Sequence, residues 1–117
     1  MCMRFESLDM WKLAQQHYLA IDDLMKESKE YYLKDQILRA SLSVSNNIAE
    51  WAERWTQQEF IRFLYIAKWS CAETRNMLYL LQQKWILSEI QFTIILKENE
   101  LIGLSLKRYI DAIYKSK

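Results

Sequence analysis

Proline is absent from this 117-residue chain, and glycine occurs once, at Gly103. Because β-turns and tight hairpins depend largely on these two residues, their scarcity argues against a protein of short strands and favours long helices. Hydrophobic residues make up 51% of the chain and charged residues 26%, a balance typical of a packed globular protein. We therefore expect one helical domain over residues 1–117, a length that a single hydrophobic core can serve.

Long apolar runs are missing as well. The longest extend over a few residues, such as Ile94 to Leu96, whereas a helix that spans a membrane needs about 20. The first residues carry charges of both signs and lack the apolar stretch of a signal peptide, so we expect a cytoplasmic protein with no membrane partner. Cys2 and Cys71 lie far apart without metal-ligand spacing, which indicates reduced thiols.

Residues that commonly carry catalysis are scarce. His17 is the one histidine, and its glutamine neighbours favour a surface position. The chain contains neither the Glu-x-x-His pairs of di-iron bundles nor a glycine-rich phosphate loop. We therefore expect no enzyme activity, no metal, no cofactor and no small-molecule substrate.

The formal net charge of +1 is too close to zero to predict nucleic-acid binding from charge alone. Its distribution is uneven, however. Residues 1–58 carry seven Lys and Arg against nine Asp and Glu, whereas residues 59–117 carry nine against six. An anionic partner should therefore prefer the second half of the chain.

Apolar residues recur at alternating steps of three and four in four segments, which predicts four helices that each bury one face. In the first helix, which Ser7 is predicted to cap, the inner residues are Trp11, Ala14, Tyr18, Ile21 and Met25. The polar stretch Lys26 to Glu30 ends this helix. In the second, from about Leu33, the inner residues are Ile37, Ala40, Val44, Ile48 and Trp51.

Capping boxes mark the starts of the other two helices, because a hydroxyl and a carboxylate or amide three residues later each satisfy a free backbone N–H. Thr56 with Glu59 predicts a third helix from near Gln57, and Ser88 with Gln91 predicts the fourth. The third helix should end around Lys84, and its inner residues are Phe60, Leu64, Ala67, Cys71, Thr74, Leu78 and Leu81. Those of the fourth are Phe92, Ile95, Asn99, Ile102, Leu106, Tyr109 and Ile113.

Asn99 interrupts the apolar inner face of the fourth helix. A polar residue at such a position can fix the register of the helices or the oligomeric state. We favour the alternative that its side chain is exposed or bonded to water.

Short connections between helices of roughly 20 to 25 residues force neighbours to run antiparallel, which predicts an all-α, up-down-up-down four-helix bundle. Several apolar residues of the third and fourth helices lie off the inner faces: Ile61, Tyr65, Trp69, Ile90, Ile94, Leu101 and Leu104. Because apolar surface of this extent commonly marks an interface, we expect a homo-oligomer.

Polar residues of the second and third helices form the first candidate site: Arg39, Ser43, Asn47, Glu50, Arg54, Ser70 and Glu73. Glu50 and Glu73 could act as an acid and a base, but no substrate pocket can be placed between them. We interpret the set as a hydrogen-bonded network that joins the two helices, because buried polar groups are normally satisfied internally.

A second candidate is a basic and aromatic face made by Tyr65, Lys68, Arg75 and Tyr79 of the third helix, with Lys107 and Arg108 of the fourth. Cations interleaved with aromatic rings suit the phosphates and stacked bases of single-stranded RNA or DNA. The same pattern is also typical of a subunit interface or of basic side chains that lie along apolar surface.

The segments Gln36–Glu50 and Glu59–Lys68 carry a resemblance to a known family, together with the opening Phe5-x-x-Leu8-x-x-Trp11-x-x-Ala14 and the later Ser70-x-x-Glu73. The chain resembles the four-helix bundle proteins encoded by intervening sequences of bacterial 23S ribosomal RNA genes. The resemblance implies a homopentamer. It also implies distant kinship with accessory proteins of diversity-generating retroelements, which bind a reverse transcriptase and nucleic acid. Its motif residues fall on Gln36, Arg39, Ser43, Asn47, Glu50, Arg54, Phe60, Phe63, Ser70 and Glu73.

Three positions depart from that family pattern, which has glycine where this chain has Trp51, Trp69 and Trp85. One hypothesis is that the source organism reads UGA as glycine while this sequence was translated with UGA as tryptophan. A single glycine in the chain agrees with it, because glycine usually makes up about 7% of a protein. If the tryptophans are authentic, we expect them to reshape the subunit contacts, which argues against the pentamer.

Overall fold

The computed structural model describes residues 4–54 and 59–116 of the chain. Within them a short 3-10 helix, Phe5–Ser7, precedes four α-helices: α1 (Asp9–Met25), α2 (Tyr31–Glu53), α3 (Arg62–Gln83) and α4 (Glu89–Lys115). Each helix packs on the next, and α4 closes against α1, in a body of 46 × 21 × 20 Å. The antiparallel four-helix bundle predicted from the spacing of apolar residues is thereby confirmed.

The sequence correctly predicted where α4 begins and, to within one residue, where α3 ends. Ser88 accepts a hydrogen bond from the Gln91 backbone N–H, and the Gln91 side chain accepts one from the Ser88 N–H, so the predicted capping box is present. α3 ends at Gln83, one residue before the predicted Lys84. Its predicted inner residues from Leu64 to Leu81 are all buried.

The predicted starts of the other helices need correction. Ser7 does not cap α1, because its hydroxyl donates to the Arg4 carbonyl within the 3-10 turn, and Leu8 is the N-cap without a side-chain bond. α2 begins at Tyr31, two residues before the predicted Leu33, and α3 begins at Arg62 rather than near Gln57. The predicted box of Thr56 with Glu59 includes a residue outside the described part of the chain.

Of the five predicted inner residues of α1, Ala14, Ile21 and Met25 are buried, but the other two are each displaced by one residue. Met10 and His17 are buried, whereas Trp11 and Tyr18 are half-buried beside them. Both sets satisfy the same spacing of three and four. The large rings of tryptophan and tyrosine are seldom fully enclosed, so they take the flanking positions.

The core consists of two hydrophobic clusters separated by a polar layer. One cluster packs around Trp51 and Ile102, and the other around Ile37 and Leu78. Along each helix, one buried polar residue separates the residues of one cluster from those of the other. These residues are His17, Ser41, Thr74 and Asn99. The hydroxyls of Ser41 and Thr74 donate to carbonyls one turn earlier in their own helices, so they need no partner from another helix.

Candidate nucleic-acid interface

A groove of about 420 Å³ runs between α3 and α4. Its volume lies within the range of roughly 300 to 1,000 Å³ that is usual for ligand sites. Both helices contribute residues that the sequence had singled out and others that it had not. The lining consists of Lys68, Trp69, Cys71, Ala72, Arg75, Glu100, Gly103, Leu104 and Lys107.

Three cations converge on this groove, Lys68 and Arg75 from α3 and Lys107 from α4, while Glu100 is the one carboxylate in the lining. Lys68 and Arg75 lie two helical turns apart on one face of α3, a rise of about 10 Å. Lys107 also pairs with Asp111 at 3.0 Å, but both side chains are well exposed. Such surface pairs contribute little, so the Lys107 ammonium remains open to another anion.

Tyr65 and Tyr79, the aromatic residues of the predicted face, are not part of the groove lining. The Tyr65 ring lies 6.1 Å from that of Trp69, and its hydroxyl donates to the Tyr114 hydroxyl, which raises the pKa of Tyr65. Tyr79 is 44% exposed, and its ring meets Phe92 edge-on at 5.1 Å.

Arg108 lies apart from this groove. It lines a separate cavity of about 300 Å³ beside the N-terminus of α1, where Ser7 and Asp9 also lie.

Part of the predicted polar network is one compact cluster. Ser70 on α3 donates through its hydroxyl to the Ser43 hydroxyl on α2 at 2.9 Å. The Asn47 amide donates to the same hydroxyl at 3.0 Å and to the Ser43 carbonyl at 2.8 Å. The bond between Ser70 and Ser43 joins α3 to α2, and the bonds from Asn47 to Ser43 lie within α2.

The charged residues of that network stand elsewhere. Arg39 pairs with Asp35 one turn away, and Glu73 is exposed on α3. Arg54 pairs with Glu50 on α2.

The Arg54 guanidinium also lies over two aromatic rings, at 4.8 Å from the centre of Phe60 and 5.1 Å from that of Phe63. Cations over ring faces are attracted by the ring quadrupole. The end of α2 is thereby joined to the segment that leads into α3.

The structure contains a buried polar cluster that sequence reasoning missed. His17 is 1% exposed, not on the surface as expected, and its Nδ1 lies 2.7 Å from Glu98 Oε1. Asn99 is fully buried rather than exposed, and its amide nitrogen lies 3.1 Å from His17 Nε2 and 3.0 Å from the Cys71 carbonyl oxygen. The spacing allowed a buried His17 without selecting it, because both His17 and Tyr18 lie three or four residues from Ala14 and Ile21.

Cys71 borders both this cluster and the groove. Its thiol donates to the Asn99 carbonyl at 3.4 Å. Burial raises the pKa of the thiol to about 11, although Arg75 and the backbone of Gly103 act in the opposite direction. The sulfur is therefore a neutral thiol at physiological pH, which makes it a poor nucleophile and metal ligand.

No group of three or more His, Cys, Asp or Glu side chains that could hold a metal occurs within residues 4–54 and 59–116. None of the helices in these ranges is both long and apolar enough to cross a membrane.

Comparison with known proteins agrees with this architecture. Residues 6–108 match the family model of the 23S rRNA-intervening sequence protein. The fold is similar to the crystal structure of a protein of unknown function from the S23 ribosomal protein family of Bacteroides thetaiotaomicron, with a TM-score of 0.80 and 27% sequence identity over 86% of this chain and 97% of that one. No curated protein matches the chain. Because the family model covers most of its length, the chain belongs to the 23S rRNA-intervening sequence protein family.

Proposed function

We propose that this protein is a non-enzymatic, homo-oligomeric bundle that binds single-stranded nucleic acid through the groove between α3 and α4. The observation that carries the proposal is the convergence of Lys68, Arg75 and Lys107 on that one groove. A protein of net charge +1 has no general attraction for polyanions, so a local concentration of cations is needed to bind one.

The arrangement suits a strand of phosphates better than a single anion. Lys68 and Arg75 are separated by about 10 Å along α3, and Lys107 approaches from the opposite wall. Cations spread in this way can contact successive phosphates, as grooves that bind single strands do. The apolar residues of the groove lining, which lie between these cations, can pack against the bases, which are less polar than the phosphates.

Self-association is supported by a different surface of α4. Ile90, Ile94 and Leu101, none of which lines the groove, are exposed by 74, 68 and 47%. With Lys97 they continue the spacing of three and four, but on the side of the helix that faces away from the core. We assign this α4 outer face to subunit contact, and the family resemblance favours five subunits. Several grooves in one assembly would strengthen binding of a long strand.

The proposal is tested by fluorescence anisotropy of a labelled RNA titrated with protein at low and near-physiological salt. For three phosphate contacts to a single strand, the logarithm of affinity should fall with the logarithm of salt concentration with a slope of about −2. The double reversal Lys68→Glu/Arg75→Glu should abolish most of the affinity at low salt.

The matched control is Lys12→Glu/Lys29→Glu, which changes the net charge equally at two exposed lysines outside the groove. It should bind nearly as well as the wild type, because screening confines the effect of exposed charges to about 10 Å. Equal losses in both variants would show non-specific attraction, and no binding by the wild type at low salt would remove nucleic acid from the partners.

The alternative function is a structural assembly or protein-interaction module with no nucleic-acid role. The apolar α4 outer face and the near-neutral net charge favour it. Under this alternative the protein self-associates, but the reversals at Lys68 and Arg75 have no RNA affinity to abolish.

A further inference from the structure

Gly103, the single glycine of the chain, lies in the interior of α4, where glycine is unfavourable. Its backbone has ordinary helical geometry, since no glycine of the described residues has a positive φ. In such a position glycine destabilises a helix relative to alanine, because it loses more backbone freedom on folding. The backbone conformation therefore does not require glycine at this position.

Helix packing does not require glycine either. A Cβ atom added at Gly103 would have Cys71 Sγ as its nearest neighbour, at 3.9 Å. This distance is an ordinary van der Waals contact, so the bundle has room for a side chain at this position. The fold therefore tolerates alanine here.

The groove between α3 and α4 offers a reason. Gly103 is part of its lining, together with Cys71 and Leu104, and the three cations lie along the same groove. The missing side chain leaves the floor of the groove open at this point. Glycine is commonly found where a ligand must approach the backbone closely.

We propose that Gly103 forms the floor of a nucleobase subsite, in which one unstacked base of a single strand lies against Gly103 and Leu104. The flanking phosphates pair with Lys68, Arg75 and Lys107. Each nucleotide of a single strand combines a flat, weakly polar base with an anionic phosphate. An apolar floor flanked by cations therefore suits the base on the floor and the phosphates beside it. This inference rests on the proposed function and adds the part of the nucleic acid that the groove recognises.

The test compares Gly103→Leu with the wild type on two labelled probes, an oligouridylate of about ten nucleotides and an abasic ribose-phosphate oligomer of the same length. The wild type should bind the oligouridylate roughly tenfold more tightly than the abasic oligomer, because a stacked base adds affinity that phosphates do not. Gly103→Leu fills the floor, so it should bind both probes equally, at the affinity of the abasic oligomer.

Two measurements separate this effect from misfolding. The salt dependence of binding by Gly103→Leu should equal that of the wild type, since the phosphate contacts remain. Ala112→Leu adds similar bulk at an exposed position of α4 outside the groove lining, and it should bind like the wild type.

The subsite is overturned, and the proposed function kept, if the wild type binds both probes equally or if Gly103→Leu still prefers the oligouridylate. A wild type that binds neither probe at low salt removes the proposed function and this inference together.

Discussion

The imidazole of His17 on α1 lies with Nδ1 2.7 Å from the Glu98 carboxylate on α4, and its Nε2 faces the Asn99 amide nitrogen at 3.1 Å. That amide also donates to the Cys71 carbonyl on α3, which sets its orientation. The ring must therefore accept at Nε2 and donate from Nδ1. These bonds connect three helices at the polar layer of the core.

His17 and Asn99 should stabilise the protein jointly, because each is a hydrogen-bond partner of the other in the core. His17→Leu deprives the fully buried Asn99 amide of an acceptor, so we expect the free energy of unfolding to fall by about 2 kcal/mol. In the double variant His17→Leu/Asn99→Leu the loss should be smaller than the sum of the single losses, because their mutual hydrogen bond is lost only once and neither buried group is left facing an apolar replacement of the other. Urea denaturation measures all three values.

The control for this cycle is Gln16→Leu, an exposed position on the same helix, which should change stability by less than about 0.5 kcal/mol. Strictly additive losses from His17→Leu and Asn99→Leu would show that the two side chains do not act together.

Trp85 occupies a backbone conformation that suits glycine. Its φ is 62°, and it follows Lys84, the C-cap of α3. The Ile86 N–H donates to the Leu81 carbonyl and the Trp85 N–H to the Gln82 carbonyl. This is the Schellman motif, in which the left-handed residue is usually glycine. The Trp85 side chain is 91% exposed and so contributes little packing. We expect Trp85→Gly to stabilise the protein by about 1 kcal/mol, measured as a higher denaturation midpoint.

Gln83→Gly provides the comparison, because Gln83 is exposed in the last turn of α3 with helical geometry. It should destabilise the protein by about 1 kcal/mol. If both variants are less stable than the wild type, the left-handed backbone at Trp85 carries no strain.

The recoding hypothesis for Trp51, Trp69 and Trp85 is tested by the gene. UGA at all three positions is expected, and any other codon would refute the hypothesis at that position. Trp51 is buried, and its indole N–H has no hydrogen-bond partner among the residues that the structure describes, which is unfavourable for an authentic tryptophan.

Cys71 should react slowly with thiol reagents in the folded protein. Because burial raises its pKa from 9.0 to about 11, the folded state disfavours the thiolate. The stability gained from the neutral thiol is fully present below pH 9 and is lost as pH rises through about 11. In a Cys2→Ser background, labelling at pH 8 should be far slower in the folded protein than in urea. Equal rates would show that the thiol is accessible.

The α4 outer face should control assembly. Ile94→Lys/Leu101→Lys places two cations on its exposed apolar surface, and repulsion with desolvation should dissociate the proposed oligomer, measured by light scattering after size exclusion. Leu19→Lys/Leu42→Lys makes the same change at exposed leucines of α1 and α2 and should leave the assembly intact. Dissociation by the second variant alone would place the interface on α1 and α2.

Local signals explain which parts of the fold could be predicted. The capping box at Ser88 and the inner face of α3 from Leu64 to Leu81 depend on residues within one or two turns of each other, and both are confirmed, whereas Phe60 lies before α3 and is half-buried. On α1 the predictions for Trp11 and Tyr18 were wrong, because Met10 with His17 and Trp11 with Tyr18 follow the same spacing. His17 rather than Tyr18 is buried because its ring nitrogens have partners on α4, Glu98 and Asn99. No pattern within α1 reveals those partners.

The amino-acid sequence by itself determined four amphipathic helices and their antiparallel order, because the spacing of apolar residues and short connections leave few other ways to bury them. It also indicated Lys68, Arg75 and Lys107 as partners for an anion. Only the tertiary structure decided that these cations share one groove, that Gly103 forms part of its lining, and that His17 is buried. Each of these depends on how far one helix slides and turns against its neighbour, which is set by packing across the whole bundle.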